Sequence, residues 1–240
     1  MRFVLTKSVE QQAQGMVLKV RETLIGQRTQ LANALRGHAA EFGVIAAKGI
    51  SRIASLLEAI AAETTIPLEA REMLALLGQE IEHLDTRIEE LETKLTAMHK
   101  ANAISQLLAT IPGIGPIIAL TLATEVDPAA FQSGRHLAAW IGLTPKEHST
   151  GGKQRMGGIS RAGNERLRRL LVTGATAVIR FATQPGNKHA SEWLLKLLQN
   201  KPRKLVAVAL ANKIARIAWA MMRSGEAYRR PTAIAATVAA

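Results

Sequence analysis

The sequence predicts an all-α protein with long N-terminal helices that include a coiled coil, followed by a second helical domain. Two observations predict this class. Alanine and leucine are frequent, and the strand-favouring residues form no alternating apolar and polar runs. Between residues 74 and 98 the apolar positions instead recur at steps of three and four, which is helical spacing.

The first elements in chain order are two helices separated by a looser segment. A helix is predicted from Ser8 to Phe42, with Ser8 as its N-cap. Residues 37–49 loosen the pattern, and a shorter helix follows over 50–62. It ends before Pro67, because the residue ahead of a proline is disfavoured in helical conformation, and Pro67 is predicted to open the next helix.

The third helix carries a heptad seam of about four repeats, which is long enough to indicate a coiled coil. Isoleucines at a-type positions and leucines at d-type positions favour a parallel two-stranded dimer, in which Arg87 and Glu92 could pair across the interface. Glu80 and Asp85 would repel each other in that register, and antiparallel packing against the first helix of the same chain is the alternative. The seam comprises Leu74, Leu77, Ile81, Leu84, Ile88, Leu91, Leu95 and Met98.

The positive charge is concentrated in the last 90 residues. The chain has a net charge of +12; residues 1–150 carry 14 Lys and Arg against 16 Asp and Glu, whereas residues 151–240 carry 17 against three. A net +14 over 90 residues is typical of a protein that neutralises a phosphate backbone. Nucleic acid is therefore favoured over an acidic protein or lipid headgroups, although a merely basic surface would have the same composition.

Several classes of protein are disfavoured by composition. The absence of cysteine excludes a disulfide scaffold, thiolate zinc sites and cysteine nucleophiles. No charged-then-apolar leader is present, so a cytoplasmic location is expected. A membrane span is not expected, because Lys213 and Arg216 interrupt the longest apolar run. With three Trp, one Tyr and four Phe, binding that depends on stacked bases is also disfavoured.

A Pro-Gly-x-Gly turn at residues 112–115 separates two apolar helical stretches and predicts a helix-hairpin-helix motif. Gly113 and Gly115 would permit positive φ and close approach to a phosphate, and Pro116 suits the first position of the second helix. The unpaired amides of that helix would then face the anion. An ordinary corner between two helices would need glycine for the same steric reason.

The segment from Gly142 to Arg161 is predicted to be a glycine-rich loop that carries a nucleophile. It contains no Walker motif, so nucleotide hydrolysis gains no support. Ser149 or Thr150 could attack a phosphate held by three cations, and His148 could accept the proton, although a surface histidine would have the same sequence. The three cations are Lys153, Arg155 and Arg161.

The next helix is predicted to begin at an N-cap, Ser160, and to run to Ile179, with arginines suited to a phosphate track. A solvated helix face is the alternative. The last helix is predicted over 205–222, and the domains are predicted as 1–100, 101–230 and a disordered tail, 231–240. The predicted phosphate track, on the helix that ends at Ile179, comprises Arg166, Arg168 and Arg169.

Three strings carry a family resemblance: I-P-G-I-G-P, then W-I-G-L-T-P-K-E-H-S-T-G-G-K, then G-I-S-R-A-G-N-E-R-L-R-R. Together they resemble the C-terminal domain of the insertion-sequence one-hundred-and-ten family of transposases, including its eleven-eleven branch, which is related to Piv-type DNA invertases. The resemblance implies a DNA recombinase with a serine nucleophile. It also implies Mg²⁺ held by four acidic residues of an N-terminal RuvC-like domain, and a structured guide RNA.

Carried onto this chain, the family's serine falls on Ser149 when counted back from Arg161 and on Thr150 when counted forward from Pro145; serine is the residue type that the family uses. The RuvC-like acidic residues have no counterpart here. The acids of the heptad helix show no arrangement that would hold magnesium, so we identify no metal site and expect little strand cleavage by this chain alone. These acids include Glu80, Glu82, Asp85 and Glu89.

Two functional hypotheses follow from the sequence. The first is the DNA-joining part of a transposase, in which Ser149 attacks a phosphodiester once a RuvC-like partner supplies metal. The second is a truncated, non-catalytic nucleic-acid-binding dimer or modulator.

Overall fold

The computed structural model describes residues 7–184 and 191–229, and over these residues it is mostly α-helical, as predicted. The chain divides into two compact units. One is Ala13–Leu95, and the other runs from Thr96 onward together with the residues up to Gln12. The predicted disordered tail, 231–240, lies outside the described residues.

The unit Ala13–Leu95 is built from three helices. Helix α1 spans Val9–Glu41, a 3₁₀ turn at Ile50–Arg52 leads into α2 (Ile53–Ala62), and α3 spans Leu68–Ala101. The predicted N-cap of α1 is confirmed: the Ser8 hydroxyl accepts from the Gln11 backbone N–H at 3.2 Å, and the Gln11 side chain accepts from the Ser8 N–H at 3.0 Å. This reciprocal pair satisfies donors that the first turn leaves open.

The heptad seam of α3 is covered within the same chain. Ile81, Ile88 and Leu95 are 2%, 4% and 0% exposed. Ion pairs join Arg21 to Glu92 and Arg28 to Asp85, so a later residue of α1 meets an earlier residue of α3 and the two helices run antiparallel.

The structure thus has the alternative arrangement, in which the seam of α3 packs antiparallel against α1 of the same chain. Glu92, predicted to pair with Arg87 across a dimer, pairs with Arg21 of α1. A parallel dimer through the same seam would require α1 to leave it. The oligomeric state itself stays a prediction.

The second unit is built around the apolar helix α9 (Arg203–Ser224), which packs against four other helices of this unit: α4, α6, α7 and α8. Eight residues of α9 are buried. By length and composition α9 could cross a membrane, but those buried residues belong to the core of this unit. Around α9 lie α4 (Ala103–Ala109), α5 (Pro116–Glu125), a 3₁₀ turn (Pro128–Ala130), α6 (Gly134–Ile141), α7 (Glu165–Ala182) and α8 (Glu192–Asn200).

Three local predictions in this unit were wrong or incomplete. The glycine-rich segment is a β-hairpin rather than a loop, with β1 at Pro145–Glu147 and β2 at Met156–Ile159. Ser160 does not cap α7; its N–H donates to the Thr144 carbonyl at 2.8 Å, and Asn164 is the N-cap. Helix α8 was not predicted, although Ser191 caps it and gives a start signal.

Candidate functional site

The predicted serine loop is a short two-stranded antiparallel hairpin that projects from the end of α6. Pro145 pairs with Ile159 and Glu147 with Met156, with a register irregularity between them. Thr150 and Lys153 form the last bridge, and Gly151 and Gly152 between them have φ of 58° and 78°. Positive φ at both central residues is the requirement of the tightest hairpin turns, which is why two glycines stand there. The segment is therefore ordered by backbone pairing.

Ser149 has a defined position in this hairpin. Its Oγ accepts a hydrogen bond from the Arg155 backbone N–H at 3.1 Å, and the residue is half-buried while Thr150 is exposed. The His148 ring packs against Gly157 on the opposite arm, since a Cβ built on Gly157 would be 3.5 Å from the His148 Cδ2 atom. The His148 backbone N–H also donates to the Arg155 carbonyl at 2.9 Å, so Arg155 contacts both residues, while the His148 ring lies beside Gly157. The arrangement places a hydroxyl of fixed orientation at the exposed end of the unit's only described sheet.

The base of the hairpin is fixed by residues 160–164, which we call the strap. The strap crosses the C-terminal end of α6: Arg161 N–H donates to the Gly142 carbonyl at 3.3 Å, and Asn164 N–H donates to the Trp140 carbonyl at 3.3 Å. Gly163 has φ of 81°, and a Cβ there would lie 1.8 Å from the Trp140 oxygen. Only glycine fits this position without a backbone shift.

Arg168 reinforces the same junction. Its Nη1 donates to the Ile141 carbonyl at 2.9 Å and to the Ala162 carbonyl at 3.2 Å. The carbonyls at a helix C-terminus have no intrahelical partner and carry partial negative charge, so a guanidinium there both satisfies and stabilises them. Arg168 therefore joins α7, the strap and α6.

Arg166 is bonded to a buried acid. Its Nη1 lies 2.8 Å from the Glu125 carboxylate, and the side chains of Arg166 and Glu125 are 14% and 9% exposed. Asn164 Nδ2 donates to the other Glu125 oxygen at 3.2 Å, while Asn164 Oδ1 caps α7. The end of α5 is thereby tied to the start of α7.

Arg166 and Arg168, which were predicted to belong to a phosphate track, therefore make internal contacts. Arg169 of the same predicted track lies on α7 and is exposed. Glu125 and Gly163 were missed by sequence reasoning. The signal that could have found them is weak: an acid ending an apolar helix, and a glycine next to an N-cap asparagine.

The predicted helix-hairpin-helix turn connects α4 to α5 and packs on α7. Gly113 has φ of 90°, and a Cβ on Gly174 of α7 would lie 2.0 Å from the Gly113 carbonyl. Gly115 has φ of −85°, so the turn needs positive φ at Gly113 and not at Gly115. Gly115 is the N-cap of α5 and lies in open space. The glycine requirement at Gly113 comes both from its positive φ and from packing on α7, since a Cβ there would lie 2.8 Å from Val178 Cγ2 and 3.0 Å from the Gly174 carbonyl oxygen.

The structure brings Ser149 and Arg155 together in the hairpin, next to the bridge between Thr150 and Lys153. Arg161 lies at the base of the hairpin. Lys153, Arg155 and Arg161 are exposed. Gly113 lies away from the hairpin, against α7, and Gly115 next to it lies in open space at the start of α5. Within residues 7–184 and 191–229, no group of three or more His, Asp or Glu side chains is arranged to hold a metal ion.

Comparison with known proteins gives a consistent result. The model of the family described as "Transposase IS116/IS110/IS902 family" matches residues 105–190, a range that begins within α4 and includes α5, α6, the hairpin and α7. The chain is 55% identical over 96% of its length to the y4pF/y4sB protein of Sinorhizobium fredii, which is named as a transposase, and spans 60% of that protein.

Two further relatives are similar over nearly the whole chain. A protein of Pseudomonas aeruginosa named as a family 20 transposase is 44% identical over 95% of the chain, which covers 69% of the relative. The transposase for insertion sequence element IS1111A of Coxiella burnetii is 40% identical over 95% of the chain, which covers 64% of the relative. At greater distance, the pilin gene-inverting protein of Moraxella bovis is 30% identical over 62% of the chain and is 45% covered.

Proposed function

The chain belongs to the IS116/IS110/IS902 family of insertion-sequence transposases, and from this premise we propose that it is a DNA-binding, DNA-joining part of a transposase with Ser149 as nucleophile. The observation that carries the proposal is the Ser149 hydroxyl, held by the Arg155 N–H on an ordered hairpin among exposed cations. The relation to a pilin gene-inverting protein supports site-specific recombination as the reaction class.

The hydrogen bond to Ser149 suits nucleophilic attack. A hydroxyl has two lone pairs and one proton. The Arg155 N–H occupies one lone pair, which leaves the second to attack phosphorus and the proton free to pass to a base. As the Oγ–P bond forms, the P–O bond to one sugar oxygen breaks and that oxygen takes up a proton. Attack by another strand's hydroxyl on the phosphoserine would then rejoin DNA and release Ser149.

The same hydrogen bond favours Ser149 over Thr150 as nucleophile. Thr150 is exposed at the start of the tight turn, and its carbonyl accepts from the Lys153 N–H at 3.1 Å. An N–H donor stabilises negative charge that develops on the attacking oxygen. Of Ser149 and Thr150, Ser149 is the residue whose hydroxyl oxygen accepts such a hydrogen bond, from the Arg155 N–H.

Cations that remain exposed would hold the DNA backbone. Lys153, Arg155 and Arg161 lie on the hairpin or at its base, and they belong to the segment with a net charge of +14. Phosphate contacts position DNA without reading its bases. We accordingly assign the contacts with DNA phosphates to the three hairpin cations. Arg166 and Arg168 support the hairpin instead.

The remaining partners are part of the proposal. The described residues do not fit Mg²⁺, so no step of this mechanism runs through the metal. A structured guide RNA, self-association and a cytoplasmic location are carried from the resemblance and from composition.

The test is a covalent-adduct assay. The purified chain and a Ser149→Ala variant are incubated with labelled element-end DNA, guide RNA and Mg²⁺, and the products are separated on denaturing gels. Thr150→Val is the matched control, since it removes the neighbouring hydroxyl. With a RuvC-like domain added in trans to supply the metal site, we expect a protein–DNA adduct that Ser149→Ala abolishes and Thr150→Val retains.

Other outcomes discriminate between the hypotheses. An adduct lost only in Thr150→Val would assign the nucleophile to Thr150. No adduct, with salt-sensitive DNA binding intact, would make the chain a binding fragment or modulator. Neither adduct nor salt-sensitive binding would refute both functions.

A further inference from the structure

A cleft of about 750 Å³ opens between the start of α6, α8 and the middle of α9. Its volume lies within the range of small-molecule sites, roughly 300–1,000 Å³. It is separate from the serine hairpin, none of whose residues line it. The side chains that matter are Arg135, Trp193, Asn212, Lys213, Arg216 and Trp219.

The lining is basic and contains no acid. Arg135 and Arg216 are exposed, Lys213 is half-buried, and none of the three takes part in an ion pair with the described residues. Three cations that converge without a counter-ion raise the local concentration of anions. The cleft is therefore complementary to a phosphate or a carboxylate.

The cleft also contains two of the three tryptophans of the chain. The Lys213 ammonium lies 4.2 Å from the centroid of the Trp193 ring, and Trp219 Nε1 donates to the Pro128 carbonyl at 3.1 Å. Both indoles are thus held in place, while Trp193 is 40% exposed. Eight aromatic residues are too few for an extended stacking platform, but one accessible indole beside Arg135 and Arg216 is sufficient to stack a single base of a single strand.

We propose that this cleft, the Trp193 cleft, binds one nucleotide of an unpaired DNA strand, with its phosphate on Arg135 and Arg216 and its base against the Trp193 indole. The proposal deepens the proposed function, because it rests on nucleic acid as the partner of this unit. It gives the unit a second contact, which selects unpaired strands, whereas the hairpin cations contact the backbone of either form.

Two features favour an unpaired strand over other anionic partners. A base inside a duplex is already stacked on its neighbours, so only an unpaired base offers a free face to the indole. An acidic peptide would satisfy the cations and leave the indole without a matching planar group. The combined charge and aromatic lining therefore fits a nucleotide better than a carboxylate side chain.

The experiment measures binding of the full chain to labelled oligodeoxythymidylate and to an abasic strand of equal length, by fluorescence anisotropy across a salt series. Trp193→Leu is expected to weaken oligodeoxythymidylate binding roughly 5- to 150-fold, the effect of one stacked base, and to leave the abasic strand unaffected. Trp193→Phe is expected to retain binding. Trp140→Leu is the matched control, because Trp140 is also 40% exposed but does not line the cleft.

The cations are tested separately. The double change Arg135→Gln and Arg216→Gln should reduce the slope of log K against log salt by roughly 0.7, as expected for one lost phosphate contact on a single strand. Lys201→Gln with Arg203→Gln is the charge-matched control, since both residues are exposed outside the cleft. Circular dichroism confirms that each variant is folded.

Equal oligodeoxythymidylate affinity in folded Trp193→Leu and Trp140→Leu would overturn the proposal. The proposal would also be overturned if the double change Arg135→Gln and Arg216→Gln weakened binding of polyglutamate but left the affinity for oligodeoxythymidylate unchanged. In either case an intact Ser149 adduct on element-end DNA would leave the proposed function standing, whereas a wild-type chain that binds no nucleic acid would refute both.

Discussion

Gly163→Ala should destabilise the second unit through the strap. Alanine at a φ of 81° occupies the left-handed region at a cost of roughly 1–2 kcal/mol. Its Cβ would lie 1.8 Å from the Trp140 carbonyl oxygen, and moving it to an ordinary contact requires a backbone shift of more than an ångström. Overpacking of this kind costs roughly 1–3 kcal/mol, which gives a combined loss of about 2–5 kcal/mol.

Urea unfolding followed by tryptophan fluorescence measures this loss. All three tryptophans, Trp140, Trp193 and Trp219, lie in the second unit, so the signal reports on that unit. With a typical m-value of about 2 kcal/mol per M urea, the midpoint should fall by about 1–2.5 M.

Gly158→Ala is the matched control, because Gly158 is exposed in β2 with open space around it. A Gly163→Ala midpoint within about 0.3 M of this control would refute the steric argument, since surface changes stay within about 0.5 kcal/mol.

Two other predictions concern the helical seam and the hairpin. Ile81→Asp with Ile88→Asp should lower the far-ultraviolet helix signal and the thermal midpoint, because both side chains are buried between α1 and α3 and a buried unpaired carboxylate is costly. A halved mass by light scattering with unchanged helix content would instead show that the seam joins two chains. Arg155→Gln should retain the Ser149 adduct and reduce the salt slope of duplex binding by about 1, since it keeps the backbone N–H and removes one cation. Arg155→Pro, which lacks that N–H, should reduce the adduct; equal adduct in both variants would show that the hydrogen bond does not position Ser149.

The sequence was sufficient for most helices because their signals are local. Ser8 caps α1 as predicted, and α3 begins at Leu68, one residue after the proline that was predicted to open it. Each of these signals depends on hydrogen bonds or dihedral angles within one turn of the chain, which a linear sequence displays directly.

The β-hairpin was missed because its strands are short and rich in glycine and charge. Neither Pro145–Glu147 nor Met156–Ile159 shows apolar alternation, since both strands are mostly exposed. The Gly151-Gly152 pair is the sequence signal of a two-residue hairpin turn, and the prediction of a glycine-rich loop does not use it.

The sequence by itself determined the helical class, the family strings and the charge of the C-terminal segment, because residue identity and spacing along the chain fix all three. Only the tertiary structure decided which cations are available. Arg166 and Arg168 have the sequence of surface cations, yet Glu125 and the end of α6 bind them, while α6, α8 and α9 bring Arg135, Lys213 and Arg216 into one cleft. The partners of a charged side chain come from distant parts of the chain, and packing alone brings them within bonding distance.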